Sequence, residues 1–136
     1  MQRYVAEKKG GAGMRLLLFM LLILVSFKAA AEWVAVAKTD VTATYIDPAT
    51  ISRNGALRRV WQIADLTQSE ADGTKSRRTL YEYDCKERRF RFLSISTHSG
   101  PMASGRVLWS DSTAREWNST APDTRFEGIL NIVCAL

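Results

Sequence analysis

The chain has little of what catalysis is usually read from: one histidine, two cysteines and three prolines in 136 residues. His98 with two cysteines is a thin donor set for zinc, which takes about four ligands in a structural site. The sequence shows no glycine-rich loop to cradle phosphate and no close carboxylate pair set in an acid/base motif. Ser96, His98 and Asp111 can be laid out on paper as a serine triad, yet no nucleophile elbow or glycine-rich oxyanion turn accompanies them. The expectation is a chain without catalytic residues, metal or cofactor, and not an enzyme.

Long apolar runs are scarce as well. The longest, Leu16 to Val25, is ten residues, short of the roughly 20 that a membrane-spanning helix needs. Lys8, Lys9 and Arg15 precede it and Ala29, Ala30 and Ala31 follow, which is the three-part pattern of a secretory signal peptide. Residues 1–31 are therefore predicted to be a cleaved leader, with Met14 as an alternative start, and residues 32–136 the mature domain. An uncleaved anchor is the competing reading. No cysteine stands just after the apolar run, so the expected mature end offers no lipid attachment. The localisation expected is export, to the periplasm or the outer cell surface, with no stable membrane span after cleavage.

Removing the leader changes the charge. Arg3, Lys8, Lys9, Arg15, Lys28 and Glu7 go with it, taking 19 bases and 14 acids to 14 and 13, and the net charge from +5 to +1. A nearly neutral exported domain argues against a nucleic-acid partner. Its 105 residues make one domain, 136 less the 31 of the leader, with a modest core that gains from extra fastening. Cys85 and Cys134 both lie in the exported part, where an oxidising compartment favours a disulfide between them.

Strands are predicted at Trp33 to Ala37, Thr42 to Ile46 and Leu57 to Leu66, and around Val107 to Trp109. Asn54-Gly55 predicts a type I′ hairpin turn ahead of the third of these. Thr67 to Ser76 reads as a polar loop, with a turn at Asp72-Gly73. Apolar spacings of three and four from Phe126 to Val133 predict a C-terminal helix capped by Asp123 or Thr124, although Gly128 weakens it and Ile132-Val133 would suit a strand. On the helical reading Cys134 lies on its apolar side, and the disulfide staples helix to sheet.

Residues 80 to 96, LYEYDCKERRFRFLSIS, are the densest stretch. With a turn at Cys85 to Arg88, Tyr83 faces Phe90 and Tyr81 faces Phe92 on one side of a hairpin. The other side pairs Asp84 with Arg89, Glu82 with Arg91 and Leu80 with Leu93, in a charged ladder expected to face solvent. Lys86 and Arg88 are left free at the turn. A structural hairpin accounts for most of these residues. A ligand reading would use Tyr81, Tyr83, Phe90 and Phe92 as a stacking surface, with Lys86 and Arg88 beside it. Small-ligand binding in a pocket between helix and sheet, lined by those aromatics, is the alternative to protein binding. Trp109 is a further binding candidate, although its place in a strand favours the core. Arg58 and Arg59 point to opposite faces, one of them expected at a sheet edge, and Asn118-Ser119-Thr120 matches a glycosylation acceptor by pattern.

Several of these stretches resemble a known family. Tyr45-x-Asp47-Pro48-x-x-Ile51 with Arg53 and Gly55, then Tyr81-Glu82-x-Asp84-Cys85-Lys86-Glu87-Arg88-Arg89, then Trp109-Ser110-Asp111-Ser112 with Glu116-Trp117, are similar to the surface-adhesin protein E family of proteobacteria. The resemblance runs from Trp33 to Cys134. It implies an α+β fold, a six-stranded antiparallel sheet with a C-terminal helix tethered to its concave face by the disulfide. It further implies a homodimer and a protein partner among extracellular-matrix or serum proteins. It assigns no binding residue.

Overall fold

Alternating β-branched and aromatic residues, interrupted by turn formers, build one antiparallel sheet closed by a helix. The computed structural model describes residues 31–136 and, before them, Gly11 and Gly13 alone; the leader expected over residues 1–31 otherwise lies outside. The strands are β1 (Val34–Lys38), β2 (Thr42–Ile46), β3 (Ser52–Asn54), β4 (Leu57–Leu66), β5 (Ser76–Asp84), β6 (Arg89–His98), β7 (Val107–Asp111) and β8 (Asn118–Ser119), followed by helix α1 (Arg125–Ala135). The main sheet runs β1-β2-β4-β5-β6-β7, which gives the six strands expected. The short β3 and β8 add to it, on β4 and β6.

Turn chemistry punctuates the strands. Asp47 ends β2 and accepts the Ala49 amide at 3.1 Å, capping a 3-10 turn at Pro48–Thr50. The β3–β4 turn departs from expectation. Asn54 pairs with Leu57, so the two loop residues are Gly55 and Ala56, and positive φ falls on Gly55 (57°) but not on Asn54. This is the pattern of a type II′ turn, which places glycine first, rather than type I′. In the β4–β5 loop Asp72 accepts the Thr74 amide at 2.9 Å and Gly73 takes positive φ, as its sequence suggested.

The helix forms because its first turn is capped and its apolar stripe is buried. Thr124 is the N-cap and accepts from the Glu127 amide, while Glu127 reaches back to the Asp123 amide at 2.9 Å. Ile129, Leu130 and Val133 are fully buried against Ile46, Val60, Tyr83 and Phe90 of the sheet. Each such side chain stabilises by about 1.5–3 kcal/mol, enough to carry Gly128, which costs about 1 kcal/mol against alanine. Cys134 bonds to Cys85 with a Cα–Cα distance of 5.8 Å and fixes the end of α1 to the β5–β6 turn.

The β5–β6 hairpin keeps the expected pairs 84–89, 83–90, 82–91 and 81–92. Beyond them the register slips, and Leu80 lies opposite Ser94 rather than Leu93. Leu93 is the extra residue of a bulge, and its effect is on faces. From there on, Thr79 and Ile95 share the helix side with Tyr81, while Arg78, Ser96, Ser76 and His98 share the other.

Candidate binding surfaces

The charged side of the hairpin is not the solvated ladder its sequence suggested. Glu82 is fully buried, and its carboxylate accepts from Arg59 Nε at 2.6 Å and from Arg91 Nε and Nη2 at 2.9 and 2.6 Å. Burial pushes the carboxyl up, but the hydrogen bonds and charges of Arg59 and Arg91 prevail and hold it below the usual range. Asp84 is also buried, accepting the Lys86 and Glu87 amides and Arg89 Nε, each at 3.1 Å. Arg89 and Arg91 in turn lie over the Trp117 ring, 4.6 and 4.5 Å from its centre. Acid, arginine and indole thus form three layers, and the acids lie at the bottom. Arg59 also departs from expectation. It belongs to β4, flanked by β3 and β5, and so lies inside the sheet rather than at an edge.

The free cations at the turn fare differently from one another. Lys86 is exposed. Arg88 is not free, because it donates to Asn131 at 2.8 Å and to Glu127 at 3.3 Å, tying the turn to α1. Its backbone carbonyl also accepts from the Thr120 hydroxyl at 2.9 Å.

On the helix side the four aromatics separate. Tyr83 and Phe90 are core residues under α1, while Tyr81 and Phe92 are half-buried beside them. The Tyr83 hydroxyl donates to Gln62 at 2.7 Å, and burial raises its pKa well above that of free tyrosine. Phe126 of α1 stacks on Phe90 at 4.4 Å. The cavity left between helix and sheet, lined by Thr44, Gln62, Tyr81, Phe126 and Ile129 among others, is about 20 Å³, room for about one water. The small-ligand pocket expected among these aromatics has no space here.

Trp109 is on the surface, half exposed at 53%, and the core placement suggested by its strand is overturned. It pairs with Thr97, which pairs with Arg77, so the three form one cross-strand row on the helix side. Arg77 forms an ion pair with Glu70 and lines an open cleft of about 460 Å³ with Val41, Thr42 and Leu66. This cleft was missed in the sequence. Its only signal was Val41, an apolar residue set in a turn, where it is 68% exposed. The candidate binding residues are therefore not one patch. Lys86 and Arg88 sit at the hairpin turn, Tyr81 to Phe92 lie in or beside the core, and Trp109 is on strand β7.

The serine triad does not assemble. Ser96 Oγ and His98 Nε2 do meet, at 2.9 Å, but Asp111 pairs with Ile95 and so lies on the opposite face, bonded to the Thr113 amide and Arg115. Among the described residues no group of three acidic, histidine or cysteine side chains could hold a metal, and no helix is long and apolar enough to cross a membrane.

The model of the surface-adhesin protein E family matches residues 33–135, nearly the whole described domain. The chain belongs to that family. The fold agrees. A structure of Haemophilus influenzae protein E superposes with a TM-score of 0.62 at 14% identity, covering 79% of this chain and 86% of that one. Protein E from non-typeable Haemophilus influenzae gives 0.59 at 15% identity, covering 80% and 79%. At such identity the superposition speaks to architecture alone. No curated protein matches the chain. Adhesin E membership and this fold describe an adhesin-like binding module, and they point away from an enzyme.

Proposed function

We propose that this adhesin E domain is exported and binds a protein partner of the extracellular matrix or serum through Trp109 of strand β7 and the cleft reached from it across Thr97 and Arg77. One observation carries the reading: Trp109, 53% exposed, stands on a strand at the end of the sheet order. A large aromatic displayed beside charge is the composition of a protein-binding hot spot. Across the sheet from Trp109, Arg77 and Glu70 provide polar groups at the rim of the cleft. The proposal includes cleavage before Glu32, display on the outer surface or release to the periplasm, and a homodimer as the assembly.

Binding of the purified domain to immobilised matrix and serum proteins tests it, with Trp109→Ala as the variant. The expected result is saturable binding that weakens at least about tenfold in the variant, a loss within the range of hot-spot truncations. Absence of saturable binding to every protein tried, or equal binding by the variant, overturns it. Protease accessibility on intact cells tests the location, since surface display requires cleavage without lysis.

A further inference from the structure

We propose that the sheet face opposite the helix carries a separate site for a sulfate or phosphate group, formed by Arg78, Ser96 and His98. Other arginines on that face hold an acid: Arg59 and Arg91 hold Glu82, and Arg89 holds Asp84. Arg78 is the contrast. Its guanidinium lies over the Trp61 ring, 4.1 Å from the centre, and makes no ion pair among the described residues. Its Nε is buried without a hydrogen-bond partner.

On β6, the strand on the other side of Arg78 from Trp61, the residues of the same face carry hydroxyl and imidazole. The bulge at Leu93 sets Ser96 directly opposite Arg78, with Ser94 opposite Leu80 and His98 opposite Ser76. Ser110 lies across from Ser96 on β7. His98 is 8% exposed, bonds Ser96 through Nε2, and has no partner at Nδ1. A buried imidazole nitrogen without a partner, on the same face as a guanidinium without an ion pair, leaves two polar groups unsatisfied; the carboxylate on the His98 row, Asp65, is taken by the Met102 amide at 3.0 Å. Ser76 does not compete, since its hydroxyl donates to Gly100 at 2.6 Å and accepts the Ala103 amide. Guanidinium recognises tetrahedral oxyanions by paired hydrogen bonds, and stacking on Trp61 fixes its plane in advance.

Burial and then the Arg78 charge hold His98 below the usual histidine range. Arg78 is the charged group beside it from β5; β7 sets Val107 opposite it, and the 3-10 turn Pro101–Ala103 has no charged residue but holds the carboxylate of Asp65, which stands on the same row across Ser76. An anion seated against Arg78 offsets that charge, so the His98 pKa rises on binding. The site lies on the face away from Trp109 and is independent of the adhesion reading.

The test uses nuclear magnetic resonance of His98, the chain's one histidine. The purified protein is titrated with inorganic sulfate, inorganic phosphate and a sulfated oligosaccharide, against chloride at constant ionic strength. The expected result is a saturable shift of the His98 ring with sulfate or phosphate but not chloride, and an upward move of its titration. Arg78→Gln weakens binding about tenfold or more. Tighter binding of the oligosaccharide than of inorganic sulfate at equal sulfate concentration assigns a polysaccharide source, and equal binding assigns the free ion. A His98 ring that never saturates, or that saturates equally in Arg78→Gln, overturns the site. Should Arg78→Gln not fold, Ser96→Ala, which leaves the Arg78–Trp61 stack in place, decides: unchanged affinity overturns it and several-fold weakening supports it. Trp109→Ala should bind the anions as the parent does, which separates this site from the adhesive surface.

Discussion

Replacing Glu82 with glutamine removes one charge and almost no volume from the centre of the arginine layer. The parent carboxylate is closed off from water, its side chain 1% exposed, and accepts three hydrogen bonds from Arg59 and Arg91. A net hydrogen bond to a charged group is worth about 1.5–3 kcal/mol, and breaking a buried ion pair costs about 3–5 kcal/mol. Two features lower that figure. Glutamine keeps an acceptor for one arginine, and both guanidiniums can turn to water, their side chains being 55% and 28% exposed. The expected loss is therefore about 2 kcal/mol at pH 7, measured by urea unfolding. The sign with pH follows from the carboxyl, whose folded pKa is depressed. Its stabilisation is present above the unfolded value of about 4.3 and is lost as pH falls through the folded one. At pH 3 or below the difference between the two proteins should therefore shrink, and Asp84, shifted in the same direction, cancels from the comparison. A loss under about 0.5 kcal/mol at pH 7, the scatter of ordinary surface substitutions, would refute the argument. So would a loss of the same size at pH 7 and at the acid end, because then charge would not be its origin.

Other expectations follow from the same contacts. Changing Cys85 and Cys134 together to alanine opens a link across 49 residues of sequence, and denaturant unfolding should show a loss of about 4 kcal/mol by chain entropy. A loss below about 1 kcal/mol would mean that the unfolded chain is already constrained near these residues. Leu130→Ala empties a fully buried position between helix and sheet and should cost about 2–5 kcal/mol, read as a lower urea midpoint with unchanged slope. Gly55→Ala meets no atom within 4 Å but must hold a φ of 57°, so it should cost about 1–2 kcal/mol from backbone strain alone, visible as a lower melting temperature. An unchanged melting temperature would contradict the positive φ assigned there.

The local elements were readable because their causes are local. Alternation of side chains places Tyr83 against Phe90 and Glu82 against Arg91 once a turn at Cys85 to Arg88 is assumed, and both pairs are present. The helix was readable from its cap and apolar spacing, and the disulfide from there being two cysteines in a chain expected to be exported. Features that needed a third strand were not readable. Arg59 closes over Glu82 from β4, and Trp117 arrives from a segment beyond β7 to cover Arg89 and Arg91. Pairing within one hairpin could not show that its acids are buried, because the lid over them comes from elsewhere in the chain. Trp109 was misplaced for the related reason that strand alternation tells which side a residue takes, not whether anything covers that side.

By itself, then, the sequence determined the strands, the capped helix, the cysteine bridge and the family signature, since each rests on neighbours a few residues apart or on a pair with no competitor. The tertiary structure decided which face of each strand meets water and which side chains meet across it. The slip at Leu93 is the clearest case. Without the bulge Ser96 would face Arg77 on the helix side, and with it Ser96 faces Arg78 on the other. One extra residue in a ladder of period two exchanges the faces of all that follows it. No local pattern announces that residue, because its place is set by the packing of strands on both sides.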